Sequence, residues 1–373
     1  MKRLVRYFLN GLIFTAPVAL TLFVLWKVFI TVDGWLRIPI PGVGFLVTVQ
    51  GLVQFLTWNG KIYWVRKVPP SSPFGPFVNH NHFAGYVEMI IPVAIGLAFY
   101  MLQGRKAFAG GPEGGVNGPA REGPEEDRSR WSKGSLALFV ASFLVVGLFF
   151  SLSRGGILSA VASAAILFAL LLKKAVSRPL AWSMALLLPS LAIALIAWIG
   201  PDLVTRQLGT FQAAGSEASF RVRALVWESL VRHLGGFVWV GSGLGTFEDS
   251  FAPLTPPGSV SRWDRAHNDY LQLLWETGLA GFAFFLVGAV ILIRRYWWPA
   301  IRSQTHPLDP FRAGIAVSLT SIALHSLVDF NLQIGANGFL FALLTGLLVG
   351  LDGVCNERVG SRPVLVGHPD VPS

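Results

Sequence analysis

Long apolar runs separated by short polar segments dominate this chain. They lie approximately over residues 9–30, 42–57, 83–102, 135–152, 155–172, 180–199, 278–294, 311–330 and 335–352. Because a membrane-spanning helix needs about 20 predominantly apolar residues, the pattern predicts an all-α, polytopic membrane protein with about 8–9 transmembrane helices. Composition agrees with this prediction, since 53% of the 373 residues are hydrophobic and only 13% are charged.

Basic residues in the polar segments predict how the helices thread the membrane. Lys and Arg are frequent in 103–134, 173–178 and 294–302. The positive-inside rule places such short segments on the cytoplasmic side. The first of them is also rich in Gly and Pro, which predicts a flexible cytoplasmic loop.

The same threading predicts that the candidate functional residues lie on the opposite, outer face. Single crossings from residue 83 onward place four polar regions outside: 79–83, 151–156, 200–277 and 325–333. Most histidines and many turn-forming Asn and Gly residues lie in these regions. The region 200–277 is long enough to form a large periplasmic loop with amphipathic helices.

The N-terminal part fits this threading less well and is predicted to be a separate unit. Residues 1–58 begin with a basic flank and an apolar run without a convincing cleavage site, which favours a retained membrane anchor. Residues 42–57 are short and interrupted by Gly and Gln, so we expect a re-entrant or interfacial segment. The main membrane domain is then 59–352, and 353–373 form a cytoplasmic tail.

Charge and cysteine content exclude some functions. The net charge is +10, but Lys and Arg lie mainly in loops beside apolar segments, where they set membrane orientation. Nucleic acid is therefore not an expected partner, whereas membrane lipids are. The single cysteine, Cys355, cannot form an intrachain disulfide.

Residues 216–236 of the outer loop predict an amphipathic helix near the lipid headgroups. Apolar residues recur at helical spacing at Phe220, Ala224, Trp227 and Val231. Arg221, Glu228 and Arg232 share another face, and the last two form an i,i+4 pair. A solvated charged face explains this pair equally well, but Arg221 opens the helix beside the membrane and could bind a phosphate through its guanidinium group.

The segment HNDYLQLLWETGLAG offers a candidate general base. Asn268 or Asp269 can cap a helix that continues into the next span, which places His267 at its N-terminal end. Gly278 follows three helical turns later, with Leu271 and Leu274 on the same face. Neutral imidazole suits the removal of a proton from a hydroxyl near neutral pH, although a single histidine is more often structural.

Two further groups lie at predicted helix ends. Arg154 occupies a tight turn between two spans, so it should have a partner or ligand unless it extends towards the headgroups. His325 and Asp329 are i,i+4 near the outer end of one helix, where they could orient an imidazole or bind a sugar hydroxyl. A buried polar contact between helices is an equal alternative.

Metal and nucleotide sites are not favoured. His80 and His82 lie two residues apart, but no nearby cluster of carboxylates or cysteines completes a metal site. The chain has no Asp-x-Asp sequence that would hold a divalent ion, so we expect a metal-independent reaction. The GSGLG turn at 241–245 lacks a surrounding strand-helix-strand unit, and close backbone packing explains its glycines better.

Six segments, taken in order, resemble the bacterial O-antigen ligase and polymerase family: PFGPFVNHNHFAGYVEMIIP, SLSRGG, RVRALVWESL, GSGLGTFEDSF, HNDYLQLLWETGLAG and HSLVDFNLQ. The resemblance extends over roughly residues 52–352. Arg221 and Leu225 in Arg-x-x-x-Leu, together with His267 and Gly278 in His-x(10)-Gly, look like the ligase signature. Residues 1–50 instead resemble a different, uncharacterised membrane family.

The resemblance implies an all-helical GT-C-like fold and an inverting glycosyltransferase of the bacterial inner membrane. The donor would be a glycan on undecaprenyl diphosphate at the periplasmic face. The acceptor would be the lipid A core, another glycan or a protein, and neither metal nor another cofactor is needed. By resemblance, His267 would be the base, Arg221 and Arg154 would bind the diphosphate, and other site residues would support them, namely Asn81, His82, Gly278, His325 and Asp329.

Two alternative functions remain open from the sequence. A polymerase of the same family would share the donor and the chemistry but would extend a glycan. A transporter of lipid-linked sugars would move the same molecules without catalysis. The lack of a convincing internal repeat disfavours the transporter.

Overall fold

The computed structural model describes residues 39–67, 73–102, 124–173, 215–236, 238–255, 263–303 and 306–360. Within these ranges the chain forms helices and turns, and no strand occurs, which confirms the all-α prediction for this part. The helices are α1 (Pro39–Leu56), α2 (His80–Leu102), α3 (Pro124–Ser151), α4 (Arg154–Lys173), α5 (Gly215–His233), α6 (Phe247–Phe251), α7 (Asp269–Leu292), α8 (Trp298–Arg302), α9 (Asp309–His325) and α10 (Gly335–Gly360). The predicted spans 9–30 and 180–199 lie outside the described residues.

Several helices are able to cross a membrane. In the described part of the chain, 4 are long and apolar enough: His80–Leu102, Arg128–Ser151, Asp269–Arg302 and Gly335–Cys355. Shorter apolar helices cover Ile40–Leu56 and Arg154–Leu170. The chain is therefore a multi-spanning membrane protein, while the total of 8–9 spans and the GT-C-like arrangement stay predictions.

Helix α2 lies at the centre of the bundle and packs against α1, α3, α4 and α9. Its crossing with α9 depends on small residues. A Cβ atom on Gly96 would lie 2.6 Å from the Pro310 carbonyl oxygen, and one on Gly314 would lie 2.4 Å from the Pro92 carbonyl oxygen. The absence of side chains at these two positions lets the helix backbones touch, as is common in membrane bundles.

Helix α1 covers most of residues 42–57, and the re-entrant or interfacial placement of this segment stays a prediction. The helix is continuous from Pro39 to Leu56, and two of its glycines are contact points. A Cβ atom on Gly44 would lie 2.8 Å from Ile90, and one on Gly51 would lie 2.5 Å from Phe74. These glycines let α1 approach its neighbours instead of breaking the helix.

Two helices extend beyond their predicted ends. Helix α3 begins at Pro124, inside the segment 103–134 that was predicted to be a flexible loop. Its polar first turns are held by neighbouring backbone, because Arg130 Nε donates a hydrogen bond to the Met101 carbonyl oxygen at 3.3 Å. Helix α10 likewise continues to Gly360, into the predicted tail 353–373.

Candidate functional site

The four regions that the sequence predicted to lie outside meet at one end of the bundle. We call it the site end and define it by the start of α2, the end of α3, the start of α7 and the end of α9. The His80 ring Nδ1 lies 2.6 Å from the Ser151 carbonyl oxygen. The Asp269 amide donates to the Ser326 carbonyl oxygen at 3.0 Å. The side of the membrane that this end faces stays a prediction.

Asp329 is the centre of the site. It lies in the turn that follows α9, and its side chain is 1% exposed. Its Oδ2 accepts a hydrogen bond from Asn81 Nδ2 at 2.8 Å, and its Oδ1 lies 3.3 Å from the Nδ1 atom of His267. Arg223 contributes a positive charge, with Nη2 3.9 Å from Oδ2. One carboxylate thus joins α2, α5 and His267, which lies two positions before α7.

These partners keep Asp329 ionised. Burial raises the pKa of the carboxyl group, but the hydrogen bond from His267 and the electrostatic interactions with His267, Arg223 and His325 outweigh burial. The pKa of Asp329 therefore lies well below its ordinary value. The site contains a buried negative charge beside an imidazole ring.

His267 is held in one orientation. A carboxylate at Nδ1 favours the tautomer that carries its proton on this nitrogen, which leaves Nε2 as a proton acceptor. The rings of Trp263 and Phe330 contact the imidazole edge to face, at centroid distances of 5.7 Å and 4.8 Å. The backbone of His267 has a φ of 50°, which is sparsely populated by residues with side chains. Such strain persists only where surrounding contacts fix the residue.

Asn268 confirms the predicted helix cap that places His267. Its side-chain oxygen accepts hydrogen bonds from the amides of Tyr270 and Leu271, and its Nδ2 donates to the Leu327 carbonyl oxygen at 2.8 Å. The cap thereby also ties the start of α7 to the turn after α9. His267 and Asp329 are brought together by this junction.

The relation predicted between His267 and Gly278 is wrong. His267 precedes α7, which begins at Asp269, and Gly278 breaks this helix with φ 63° and ψ −172°. The two residues therefore share no continuous helix face with Leu271 and Leu274. Gly278 is needed for close packing instead, because a Cβ atom there would lie 2.5 Å from the backbone of Trp239.

The GSGLG turn forms the other side of this contact. The amides of Ser242 and Gly243 donate to the carbonyl oxygens of Trp275 and Glu276 at 3.0 and 2.9 Å. A Cβ atom on Gly241 would lie 2.3 Å from the Glu276 backbone. This geometry confirms close backbone packing for Gly241.

Helix α5 presents a different face from the predicted one. Val226 and Leu230 are buried against Phe247, Phe251 and Trp275. Val231, which was assigned to the apolar face, is 62% exposed. The buried face is rotated because the outer loop folds its own small core over the helix. The predicted pair of Glu228 and Arg232 is confirmed by a direct hydrogen bond.

Arg223 was missed by the sequence analysis, and the side chain of Arg221 lies outside the described part of the structure. Arg223 Nη1 donates to the Val328 carbonyl oxygen at 2.7 Å, in addition to its contact with Asp329. Arg223 precedes Val226 by three positions and Leu230 by seven, so the three residues share one helix face. This spacing could have identified Arg223, because an arginine on a buried helix face requires a partner.

For His325 the structure confirms the second alternative, a buried polar contact between helices, and the side chains of His325 and Asp329 have different partners. Helix α9 ends at His325, so Asp329 lies beyond it. The ring Nδ1 of His325 lies 3.1 Å from Glu88 Oε1 of α2, and Asp329 orients His267 instead. The i,i+4 spacing could not reveal these partners. Glu88 and His267 lie far in the chain from His325 and Asp329, respectively.

Arg154 lies at the site end, as predicted. It is exposed at the start of α4, directly after a turn in which Leu152 has a φ of 60°. The next residue, Gly155, packs on His325, since a Cβ atom there would lie 2.8 Å from the ring. Its diphosphate-binding role stays a prediction.

His80 and His82 engage different surroundings although they lie two residues apart. His80 contacts the end of α3, whereas the His82 ring meets Phe330 edge to face at 4.7 Å. The Nε2 atom of His82 is buried and has no hydrogen-bond partner among the described residues. His82 therefore packs against Phe330, the same ring that His267 contacts.

The fold and the site define a multi-spanning membrane protein with a histidine–carboxylate pair at one end of its helix bundle. Residues 138–286 match the protein-family model described as O-antigen ligase. This match confirms the resemblance to the O-antigen ligase-like family, and it includes His267 and Gly278. No curated protein matches the chain.

Proposed function

We propose that this protein is a glycosyltransferase that moves a glycan from undecaprenyl diphosphate to an acceptor hydroxyl at the periplasmic face of the bacterial inner membrane. The observation that carries the proposal is the contact between His267 and the buried Asp329 carboxylate. His267 lies within residues 138–286, which match the O-antigen ligase family model, and this match supports the same chemistry. The lipid A core or a similar lipid-linked sugar is the proposed acceptor.

In the proposed reaction, His267 acts as the general base. Its Nε2 removes the proton from the acceptor hydroxyl while the oxygen attacks the anomeric carbon of the donor sugar. The bond between this carbon and the diphosphate oxygen breaks, so the configuration is inverted in a single displacement. Asp329 stabilises the imidazolium that forms, because it is ionised and lies beside Nδ1.

Arginines neutralise the leaving diphosphate in this proposal. Arg154 is exposed at the site end, and Arg221 lies six positions after the start of α5, the helix that also carries Arg223. A guanidinium group can hold a phosphate through two hydrogen bonds and stabilise the charge that develops on it. Arg223 has a different role, because its contacts with Val328 and Asp329 fix the site. The proposed reaction requires neither a metal ion nor another cofactor.

The test is a transfer assay with purified protein, an undecaprenyl diphosphate glycan and a metal chelator. Acceptors are offered separately as lipid A core and as a second lipid-linked glycan, which separates a ligase from a polymerase. We expect His267→Ala to lose roughly 100-fold or more in rate, as is typical when a general base is removed.

His233→Ala is the matched control. His233 lies on the exposed end of α5, and its ring contacts the Ser229 carbonyl oxygen of the same helix. The His233→Ala variant should therefore keep the wild-type transfer rate. Transfer that survives His267→Ala would contradict the proposal. Passage of unaltered lipid-linked glycan across vesicles without a new covalent bond would indicate a transporter.

A further inference from the structure

The loop 238–245 presents large apolar side chains on its surface. Trp239, Val240 and Leu244 are 71%, 77% and 77% exposed. The loop contains no charged residue. A cluster of this kind is unfavourable in water and usually marks an interaction surface.

The backbone of this loop is fixed on α7. The amides of Leu279 and Ala280 donate to the carbonyl oxygens of Val238 and Trp239 at 2.7 and 3.1 Å. The Ser242 amide is also paired, with the Trp275 carbonyl oxygen. Irregular backbone is tolerated at membrane depth only where its polar groups are satisfied within the protein. These hydrogen bonds meet that condition at the point where the loop contacts the helix.

The length of α7 places the loop at membrane depth. Leu279 and Arg294 are 15 positions apart, which corresponds to about 22 Å of helix at ~1.5 Å per residue. The arginines at 294 and 295 and the tryptophans that follow them mark the membrane boundary away from the site end. Because the hydrocarbon core is about 30 Å thick, the helix break at Gly278 lies inside the leaflet at the site end.

We propose that Trp239, Val240 and Leu244 insert into this leaflet and anchor the outer loop to the lipid. The occupant is lipid because the patch continues the exposed apolar surface of α7, where Phe284 is 83% exposed. Tryptophan also suits the boundary between headgroups and acyl chains. This inference does not depend on glycosyl transfer.

The anchor fixes the height of the site above the membrane. The loop contacts Trp275 and Glu276, and the same helix begins beside His267. The nine positions from Asp269 to Gly278 correspond to roughly 14 Å of helix. His267 is therefore held above the hydrocarbon core, at the level of the polar headgroups.

The test uses nitroxide labels in vesicles of phosphatidylcholine and phosphatidylglycerol. Trp239→Cys and Leu244→Cys are made separately in a Cys355→Ser chain. Collision with oxygen, which enters lipid, is compared with collision with a water-soluble nickel complex. Phe284→Cys serves as the lipid-exposed control, and Arg232→Cys on exposed α5 serves as the water-exposed control.

The expected oxygen-to-nickel collision ratio at both loop positions is several-fold above that at position 232 and close to that at 284. A ratio like that at 232 would overturn the proposal, because the loop would then lie in water. Shielding from both reagents would also overturn it, since a protein surface would then cover the patch. Two positions keep the test valid if one substitution prevents folding.

Discussion

Asp329 is the residue on which the geometry of the site depends. Its side chain is almost completely buried, yet it accepts a hydrogen bond from Asn81, contacts the Nδ1 atom of His267 and lies beside the positive charge of Arg223. A buried carboxylate is stable only when such partners compensate for lost hydration. The same contacts leave it unable to shift towards another partner. Asp329 is therefore a positioning residue for His267.

Replacing Asp329 with Asn should show whether His267 requires the negative charge of this side chain or only its shape. The amide is similar in shape, but it no longer stabilises an imidazolium and can favour the other tautomer of His267. We expect kcat to fall roughly 100-fold or more with KM nearly unchanged, as for other histidine–carboxylate pairs. The measurement is initial rate against acceptor concentration at fixed donor.

Asp264→Asn provides the control, because Asp264 lies on the exposed surface three positions before His267. Its kcat should stay at the wild-type value. Wild-type kcat in Asp329→Asn would show that His267 does not need the carboxylate. A change confined to KM would instead assign Asp329 to acceptor binding.

The sequence predicted some of these residues and missed others for a physical reason. His267 and its cap at Asn268 were found because helix capping is a local property. Arg223 was missed because its role depends on which face of α5 is buried, and the outer-loop core decides that. Asn81 and Asp329 are 248 positions apart in the chain, so their contact exists only in the folded bundle.

At the scale of elements, the break in α7 links the outer loop to the membrane part. Gly278 has a positive φ and no room for a side chain. Gly278→Ala should lower the free energy of unfolding by about 1–3 kcal/mol, from backbone strain and the clash with Trp239. Thermal unfolding in detergent measures this change.

Gly288→Ala on the same helix is the matched control, because a Cβ atom at position 288 would have no neighbouring atom within 4 Å. Alanine is favoured over glycine inside a helix by up to about 1 kcal/mol, so this variant should be as stable as the wild type or slightly more stable. Equal stability of both variants would contradict the assigned role of the break.

Helices α9 and α10 are joined at the end opposite the site. Arg312 is buried and contacts Asp309 at 3.2 Å and Asp352 at 2.6 Å. Arg312→Leu removes the guanidinium that bridges two buried carboxylates, and we expect about 3–5 kcal/mol of destabilisation. Arg294→Leu, at an exposed position, should change little. Similar unfolding temperatures for both variants would contradict a structural role for this ion pair.

Apolar runs predicted the helices well, but not their ends. A run of hydrophobic residues identifies a span because bilayer thickness sets its length. Helix α3 extends beyond its apolar run since Gly134 packs on Leu102 and Arg130 bonds to the preceding helix. Such polar helix extensions are stabilised by contacts with a neighbouring helix. Their sequence has no hydrophobic periodicity that would predict them.

At the scale of the whole molecule, ionisable residues are divided between the two ends of the bundle. The histidine–carboxylate site lies at one end, and the Arg312 ion pairs and the basic residues near Arg302 lie at the other. We propose that the site end faces the periplasm, for two separate reasons. The positive-inside rule predicts it from the basic segments, and the proposed donor is used on that side.

Cysteine accessibility in spheroplasts measures which side of the membrane the site end faces. Asp264→Cys, beside His267, and Arg302→Cys, at the opposite end, are made separately in a Cys355→Ser chain; both positions are exposed. A membrane-impermeant maleimide should label position 264 in intact spheroplasts and position 302 only after permeabilisation. Labelling of position 302 but not of position 264 in intact spheroplasts would contradict the proposed orientation, because the site would then face the cytoplasm.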